Sequence, residues 1–115
     1  MKYVLLFVGT REDQDRWDQM TPQQLEAAMA GAGSWFDKYM HAGKITGGEQ
    51  LQGYKGVTTV RSENGKSVVT DGPFIESKEV IGGFAIVDVK DLAEAQDMAG
   101  SWPGGPVEIW PVVER

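Results

Sequence analysis

The stretch Gly82-Gly83-Phe84-Ala85-Ile86-Val87-Asp88-Val89 is apolar over most of its length, and the capping sequence Asp91-Leu92-Ala93-Glu94 follows it closely. Neighbouring side chains of a strand point to opposite faces of a sheet, so this pattern predicts a central strand with both faces covered. The apolar run at residues 3–8 predicts a second strand of the same kind. A helix is predicted after each strand, one from the Thr21-Pro22-Gln23-Gln24 start to Gly43 and one from Asp91 to Gly100.

The segments between these two units are rich in strand signals. Residues 44–51 predict a strand that ends near paired glycines. Residues 57–61 and 66–70 predict a hairpin around Asn64-Gly65, because this dipeptide favours the tight turn that joins two strands. The last strand is predicted at residues 107–112, where Pro111 confines it to an edge or a strand end. Residues 10–20 are polar and predict a surface loop whose Trp17 and Met20 fold back onto the body.

This order of elements predicts a ferredoxin-like α+β fold, in which two helices cover one face of the sheet and a β-hairpin is inserted. Two helices cover only one face of strands that are apolar on both. We therefore expect a homodimer in which a second copy covers the other face. The alternative is that the hairpin and the loop at residues 10–20 fold over that face within one subunit.

The composition of the chain excludes several classes of function. The 115 residues predict a single domain spanning residues 1–115. The net charge is −6 and the 11 basic residues are scattered, which argues against nucleic-acid binding. The chain has no cysteine and one histidine, so a thiolate or transition-metal site is not expected, and no cofactor is implied. The first apolar run is too short for a signal peptide or a membrane span, and we expect a cytoplasmic protein without membrane contact.

The stretch from Thr70 to Glu79 carries the most specific chemistry, with three acids and one lysine around a Gly-Pro break. Asp71 is a candidate acid–base group, although an Asx turn with backbone two residues on would also explain it. Glu76 and Lys78 point to the same side of an extended segment and are candidates for positioning or pairing with a ligand. Phe74 is a candidate binding residue that would otherwise plug the core. The alternative for the whole stretch is a solvated charged loop.

A second candidate group lies at Gly48 and Glu49, at the end of the second predicted strand. Backbone amides near the paired glycines would suit an anion. Glu49 is the second candidate acid–base group, which would converge with Asp71 if their strands are neighbours. The alternative is that the glycines form a bulge and Glu49 is exposed. The large aromatic residues are expected in the core or an interface, and one of them would wall a pocket: Trp35, Tyr54, Trp102 and Trp110.

The string VTDGPFIESKEVIGGFAIVDVKDLAEA at residues 69–95 resembles the signature of the DGPF subgroup of YCII-related proteins. GGEQLQ at residues 47–52 and GGPVEIWPV at residues 104–112 are similar to that family too. The resemblance implies a dimeric ferredoxin-like fold of the α/β-barrel type, with a small-molecule cleft between sheet and helices. Some related proteins are thought to be lyase-like enzymes, for example on chlorinated ring lactones, and others are linked to sigma factors.

The chain departs from the broader family at one proposed mechanism. Many YCII proteins carry a histidine on the first helix and an aspartate near the last turn, proposed as a catalytic dyad. Here His41 lies at the end of the predicted helix, where the helix dipole explains it, and the turn Trp102-Pro103-Gly104 holds no acid. Two functions stay open: an enzyme-like dimer that binds a small polar or acidic metabolite in a cleft lined by residues 70–79, and a non-catalytic dimeric interaction module, in one version linked to transcription regulation.

Overall fold

The structure is a computed structural model that describes residues 1–73 and 78–115. Its regular elements follow one another along the chain as an alternation of strands and helices, which confirms the α+β class. The elements are β1 (Lys2–Thr10), α1 (Arg11–Asp18), α2 (Pro22–His41), β2 (Ile45–Gln50), β3 (Thr58–Glu63), β4 (Lys66–Asp71), β5 (Glu79–Asp88), α3 (Leu92–Gly100) and β6 (Val107–Pro111).

Four strands form an antiparallel sheet in the order β2-β5-β1-β6. The two strands predicted as central, β1 and β5, lie side by side in its middle. The edge strand β6 ends at Pro111, as predicted. Strands β3 and β4 pair only with each other and form the predicted hairpin, whose turn residues Asn64 and Gly65 have φ angles of 50° and 77°. The ferredoxin-like α+β architecture is confirmed, and the described strands do not close a barrel.

One face of the four-stranded sheet carries the core, and α2 and α3 both pack on it. Leu5 of β1 and Val87 of β5 are fully buried there. Trp35 of α2 is 5% exposed, and its indole nitrogen donates to the carbonyl of Met98 on α3 at 3.0 Å. The ring of Phe7 stacks on that of Trp102 at 4.1 Å. These contacts join both helices to the same face, as the predicted topology requires.

The other face, which we call the open face, is mostly apolar but lies outside this core, and it also carries Glu108 opposite Leu6. It consists of the side chains that alternate with the buried ones along β1, β5 and β6. The register pairs Val4 with Ile86, Leu6 with Phe84 and Val8 with Ile81. Ile81 is 45% exposed, and Trp110, opposite Val4, is 56% exposed. Within the single chain only one face of the central strands is covered, and the predicted cover of the other face by a second copy stays a prediction.

Neither segment that was predicted as an alternative cover buries apolar residues. Val60 and Val69, which face each other across the hairpin, are 61% and 64% exposed. None of the eight residues of α1 is buried. The radius of gyration is 16.2 Å, against about 13 Å for a compact domain of this length. The hairpin accordingly projects from the body instead of folding over the sheet.

The prediction of a surface loop at residues 10–20 is wrong, because most of this segment is helix α1. Thr10 and Asp13 form a capping box: the Thr10 hydroxyl accepts from the Asp13 amide, and the Asp13 carboxylate accepts from the Thr10 amide. Arg16 pairs with both Asp13 and Glu12 one turn earlier. Met20, after the helix, is half-buried as expected, whereas Trp17 is 36% exposed. Charge pairs and a cap, not an apolar stripe, form this helix.

Candidate functional site

A cleft of about 470 Å³ lies between the turn after β2, the base of the hairpin and the start of β5. We call it the Tyr54 cleft, after the aromatic residue in its wall. Most of its walls are apolar, and a few polar groups lie among them. Its described lining residues are Leu51, Gln52, Gly53, Tyr54, Gly56, Val57, Pro73, Glu79, Val80 and Ile81.

Contacts with α1 hold Tyr54 in this wall. The Tyr54 hydroxyl donates to the Asp15 carboxylate at 3.0 Å, and the Tyr54 amide donates to the side-chain oxygen of Gln14 at 2.7 Å. Lys55 binds the same Asp15 carboxylate at 3.1 Å and reaches Asp18 at 3.5 Å. Helix α1 therefore acts as the support of the cleft wall, which explains why a helix without buried residues is retained on the surface.

The hydrogen bonds of this network set the protonation states of its members. The Asp15 carboxylate accepts hydrogen bonds from Lys55 and Tyr54. These bonds, the one from Lys55 most of all, lower the pKa of Asp15. The bond to the Asp15 carboxylate raises the pKa of Tyr54, and the same carboxylate raises the pKa of Lys55. Around neutral pH the carboxylate is thus ionised, the phenol protonated and the ammonium charged. Such a network holds position; it does not exchange protons.

Arg11, the first residue of α1, lies next to this wall. Its guanidinium carbon is 4.9 Å from the centre of the Tyr54 ring, within the range of a cation–π contact. Its backbone amide donates to the carbonyl of Lys78 at 2.9 Å, immediately before Glu79 of the cleft. Its Nε atom is buried and has no hydrogen-bond acceptor among residues 1–73 and 78–115.

Asp71 lies at the end of β4, exposed and opposite Thr58. The Asx turn expected for it does not form, because the residue two positions on is Pro73, which has no amide hydrogen. Two bonds at the backbone of Gly72 hold this turn instead: the Gly72 amide donates to the Val57 carbonyl at 2.7 Å, and the Thr59 hydroxyl donates to the Gly72 carbonyl at 2.6 Å. A side-chain role for Asp71 is therefore not needed to make the turn.

Gly48 and Glu49 lie on β2, and the structure gives each a local explanation. A Cβ atom on Gly48, whose φ is 150°, would lie 2.5 Å from the Phe84 carbonyl oxygen, so only glycine fits. The ladder to β5 shifts register just before it, in agreement with the predicted alternative of a bulge. Glu49 is exposed opposite Phe84, at the margin of the open face.

The two candidate acids do not lie on neighbouring strands. Glu49 is on β2, which pairs with β5 in the four-stranded sheet, whereas Asp71 is on β4, which pairs with β3 in the hairpin. The condition under which they were expected to converge is not met. Lys78 is exposed, and its carbonyl serves Arg11. The predictions for Phe74 and Glu76 fall outside the described residues.

His41 is the last residue of α2 and is exposed. Its Nδ1 lies 2.8 Å from the carbonyl oxygen of Asp37, one turn earlier in the same helix. A side chain that bonds a backbone carbonyl of the last helical turn is a common feature of helix ends. This contact agrees with the structural role expected for His41.

The sequence reasoning missed the residues around the cleft, apart from the expectation that one large aromatic walls a pocket. Tyr54 is that residue; Trp35 is buried, Trp102 packs on the core and Trp110 lies on the open face. A usable signal was the sequence Gly53-Tyr54-Lys55-Gly56, an aromatic and a cation between glycines in a region without a strand pattern. Asp15 and Arg11 gave no such signal.

The comparison with known proteins identifies the family. The model of the YCII-related domain matches residues 1–114, and the chain therefore belongs to the YCII-related family. An uncharacterized protein of Rhizobium meliloti (strain 1021) is 31% identical over 99 residues, which cover 86% of this chain and 77% of the relative. The resemblance in residues 69–95 is thus confirmed.

No helix among the described residues is long and apolar enough to cross a membrane. The cytoplasmic location and the single domain at residues 1–115 stay predictions.

Proposed function

We propose that this protein is a homodimer that binds a small polar or acidic metabolite in the Tyr54 cleft. The observation that carries the proposal is the cleft itself, whose volume of about 470 Å³ lies in the range of small-molecule sites. Its walls combine an apolar body, from residues such as Val57 and Ile81, with the polar groups of Gln52 and Glu79. This combination is typical of sites that orient a small ligand by a few polar contacts.

The proposal is one of binding and assigns no reaction. An acid–base mechanism by Asp71 and Glu49 needs both carboxylates at one substrate, and they lie on different sheets. Neither belongs to the described lining of the Tyr54 cleft. The phenol of Tyr54 and the carboxylate of Asp15 are bonded to each other, which holds both in one protonation state near neutral pH.

The open face supports the homodimer. Three strands spaced about 4.8 Å apart make a face on the order of 300 Å², the scale at which exposed apolar patches mark interaction sites. Neither the hairpin nor α1 buries apolar side chains against it, so a second copy is the simplest cover. A two-fold axis through such a face pairs it with itself, which requires no other surface to be complementary.

A ligand titration followed by amide chemical shifts tests the binding proposal. Small polar and acidic compounds are added to the labelled protein, and shifts are expected at residues 51–57 and 79–81. The blocking variant is Gly56→Leu. A Cβ atom at Gly56 meets only the side-chain oxygen of Gln52, at 4.0 Å, so the leucine enters the cleft without a clash at its base.

The matched control is Gly33→Leu on α2, where an added Cβ atom meets nothing within 4 Å. We expect Gly56→Leu to abolish the shifts and Gly33→Leu to preserve them. Ligand shifts that map elsewhere on the chain, or that survive in Gly56→Leu, contradict the proposal.

A non-catalytic dimeric interaction module is the second candidate, and the projecting hairpin favours it. Val60 and Val69 form an exposed apolar pair on a two-stranded sheet, a structure of marginal stability by itself. In this version the hairpin contacts a partner copy. The double variant V60T/V69T would then weaken the dimer and leave ligand shifts in the Tyr54 cleft unchanged; an unchanged dimer affinity removes this candidate.

A further inference from the structure

We infer that Arg11 anchors the acid group of the ligand and that the ligand is a small monocarboxylate with an apolar body. This inference rests on the proposed function of the Tyr54 cleft and goes beyond it by naming the ligand class and the anchoring residue. Its basis is an unsatisfied cation beside an apolar cleft.

The hydrogen-bonding capacity of the Arg11 guanidinium is unused within the described chain. Its Nε atom is buried without an acceptor, and no described residue forms an ion pair with it. Buried polar groups without a partner are rare in folded proteins, because each retains the cost of losing water. The ring of Tyr54 offsets part of this cost through its contact with the cation, but a ring accepts no bidentate hydrogen bond.

The charge of Arg11 helps to lower the pKa of Asp15, but the described hydrogen bonds of this carboxylate go to other residues. Asp15 accepts hydrogen bonds from the Tyr54 hydroxyl at 3.0 Å and from Lys55 at 3.1 Å. By contrast, the other arginine of α1, Arg16, is exposed and fully paired with Asp13 and Glu12. The same short helix therefore carries one arginine that forms ion pairs with its own acids and one whose Nε atom has no described acceptor.

Two contacts join Arg11, which is not itself in the described lining, to the wall of the cleft. It lies over the ring of Tyr54, a wall residue, and its amide is bonded to the carbonyl of Lys78, which adjoins the wall residue Glu79. An arginine fork matches a carboxylate with two parallel hydrogen bonds. The remaining walls are mostly apolar, which suits the body of such an acid better than a sugar or a polyanion.

The net charge of −6 bears on the same choice. A negatively charged chain disfavours ligands with several negative charges, which would need more than one cation to balance the repulsion. One guanidinium beside the cleft wall balances one acid group. The charge distribution thus favours a monoanion over a phosphate ester or a dicarboxylate.

The test compares 3-phenylpropionate with 3-phenylpropan-1-ol, which has the same body without the charge. We expect the wild-type protein to bind the acid at least about tenfold more tightly than the alcohol, in a titration read from the amide shifts of Gly53 and Gly56. Arg11→Gln should reduce the affinity for the acid to that for the alcohol and leave the alcohol unaffected. Arg11→Lys, which keeps the charge but not the fork, should fall between them.

Arg16→Gln is the matched control, because it removes the paired arginine from the same helix and should leave both affinities unchanged. Thermal unfolding of each variant checks that the fold is intact. Equal binding of acid and alcohol by the wild type, or an unchanged acid affinity in a folded Arg11→Gln variant, overturns the inference while the proposed cleft function stands. If neither compound shifts the cleft amides, the inference fails, and if the wider compound series also fails there, so does the proposed function.

Discussion

The two faces of the four-stranded sheet have similar side chains and different surroundings. Leu5 and Leu6 are adjacent in β1, yet Leu5 is fully buried under the helices whereas Leu6 is only half-buried on the open face. On β5, Val87 is fully buried and Ile81 is 45% exposed. The covered face explains why this chain folds. Folding of one subunit does not bury the apolar side chains of the open face. We therefore propose that this face binds a second copy of the chain.

The Tyr54 cleft lies at the start of β5, beside the open face. Val80 in its lining is buried, and the next residue, Ile81, belongs to the open face. A ligand site at this position would sense both the packing of one subunit and the approach of a second. Substitutions in the core, in the cleft wall and on the outer surface of α2 therefore test the difference between the two faces.

The largest effect is expected from truncating the two leucines. Leu5→Ala removes a fully buried side chain and should lower the free energy of unfolding by about 2–5 kcal/mol at any protein concentration. Leu6→Ala should instead weaken the dependence of the unfolding midpoint on protein concentration, since it acts through dimer affinity. Denaturant unfolding at two concentrations separates the cases. If the wild-type unfolding midpoint does not change on dilution, the expected difference between Leu5→Ala and Leu6→Ala is contradicted.

An intermediate effect is expected in the titration of the cleft wall. Asp15→Asn replaces the charged carboxylate that raises the pKa of Tyr54 with a neutral amide, so this pKa should fall back toward the ordinary 10.0. The ultraviolet absorbance of tyrosinate measures it, and Tyr54→Phe identifies the signal. Asp18→Asn is the control, because Asp18 binds Lys55 but not the phenol. A Tyr54 titration that Asp15→Asn leaves unchanged contradicts the network.

The pKa shifts of Asp15, Tyr54 and Lys55 predict that the network stabilises the protein only between a lower and an upper pH. The lowered pKa of Asp15 means that its contribution to stability is present above about 3.8 and is lost as the pH falls through the lower, folded value. The raised pKa of Tyr54 and Lys55 means that their contribution is present below about 10 and is lost as the pH rises through the folded values. Between these limits the cleft wall should keep one structure, which amide shifts recorded across the range would show.

The smallest effect is expected on the outer side of the covering helix α2. Gly33 is exposed inside the helix and a Cβ atom there meets nothing, so Gly33→Ala should raise the free energy of unfolding by about 0.5–1 kcal/mol. At Gly31 a Cβ atom would touch the ring of Pro103 at 3.4 Å, so Gly31→Ala should gain less. Denaturant unfolding of both variants checks the order, and a larger gain at Gly31 would contradict the packing described.

Much of the fold was predictable because its signals are local. The caps at Thr21 and Asp91, the Asn64-Gly65 turn and the apolar runs of β1 and β5 each follow from a few neighbouring residues. Helix α1 was missed because its signal is the Thr10–Asp13 capping box without an apolar stripe. The Asx turn considered at Asp71 was wrong, because Pro73 has no amide hydrogen to donate.

The candidate site was far less predictable than the fold. The bond between Tyr54 and Asp15 joins residues 39 positions apart, and only the packing of α1 against the turn at residues 53–55 brings them together. The contact of Arg11 with Tyr54 has the same origin. Asp71 and Glu49 were predicted because each is a charged residue beside a conspicuous glycine motif. The cleft is formed instead by the less conspicuous turn at residues 53–55.

The central claim is that a second copy covers the open face, and the molar mass in solution tests it most directly. Light scattering of the wild-type protein at micromolar concentration should give twice the chain mass of 12.6 kDa. Trp110→Lys places a charge on the open face, where Glu108 can accept it, and should give a folded single chain. Met40→Lys changes a residue of α2 that is 58% exposed, close to the 56% of Trp110, and should stay a dimer. A wild-type mass of one chain, or a dimer that survives Trp110→Lys but not Met40→Lys, would contradict the account.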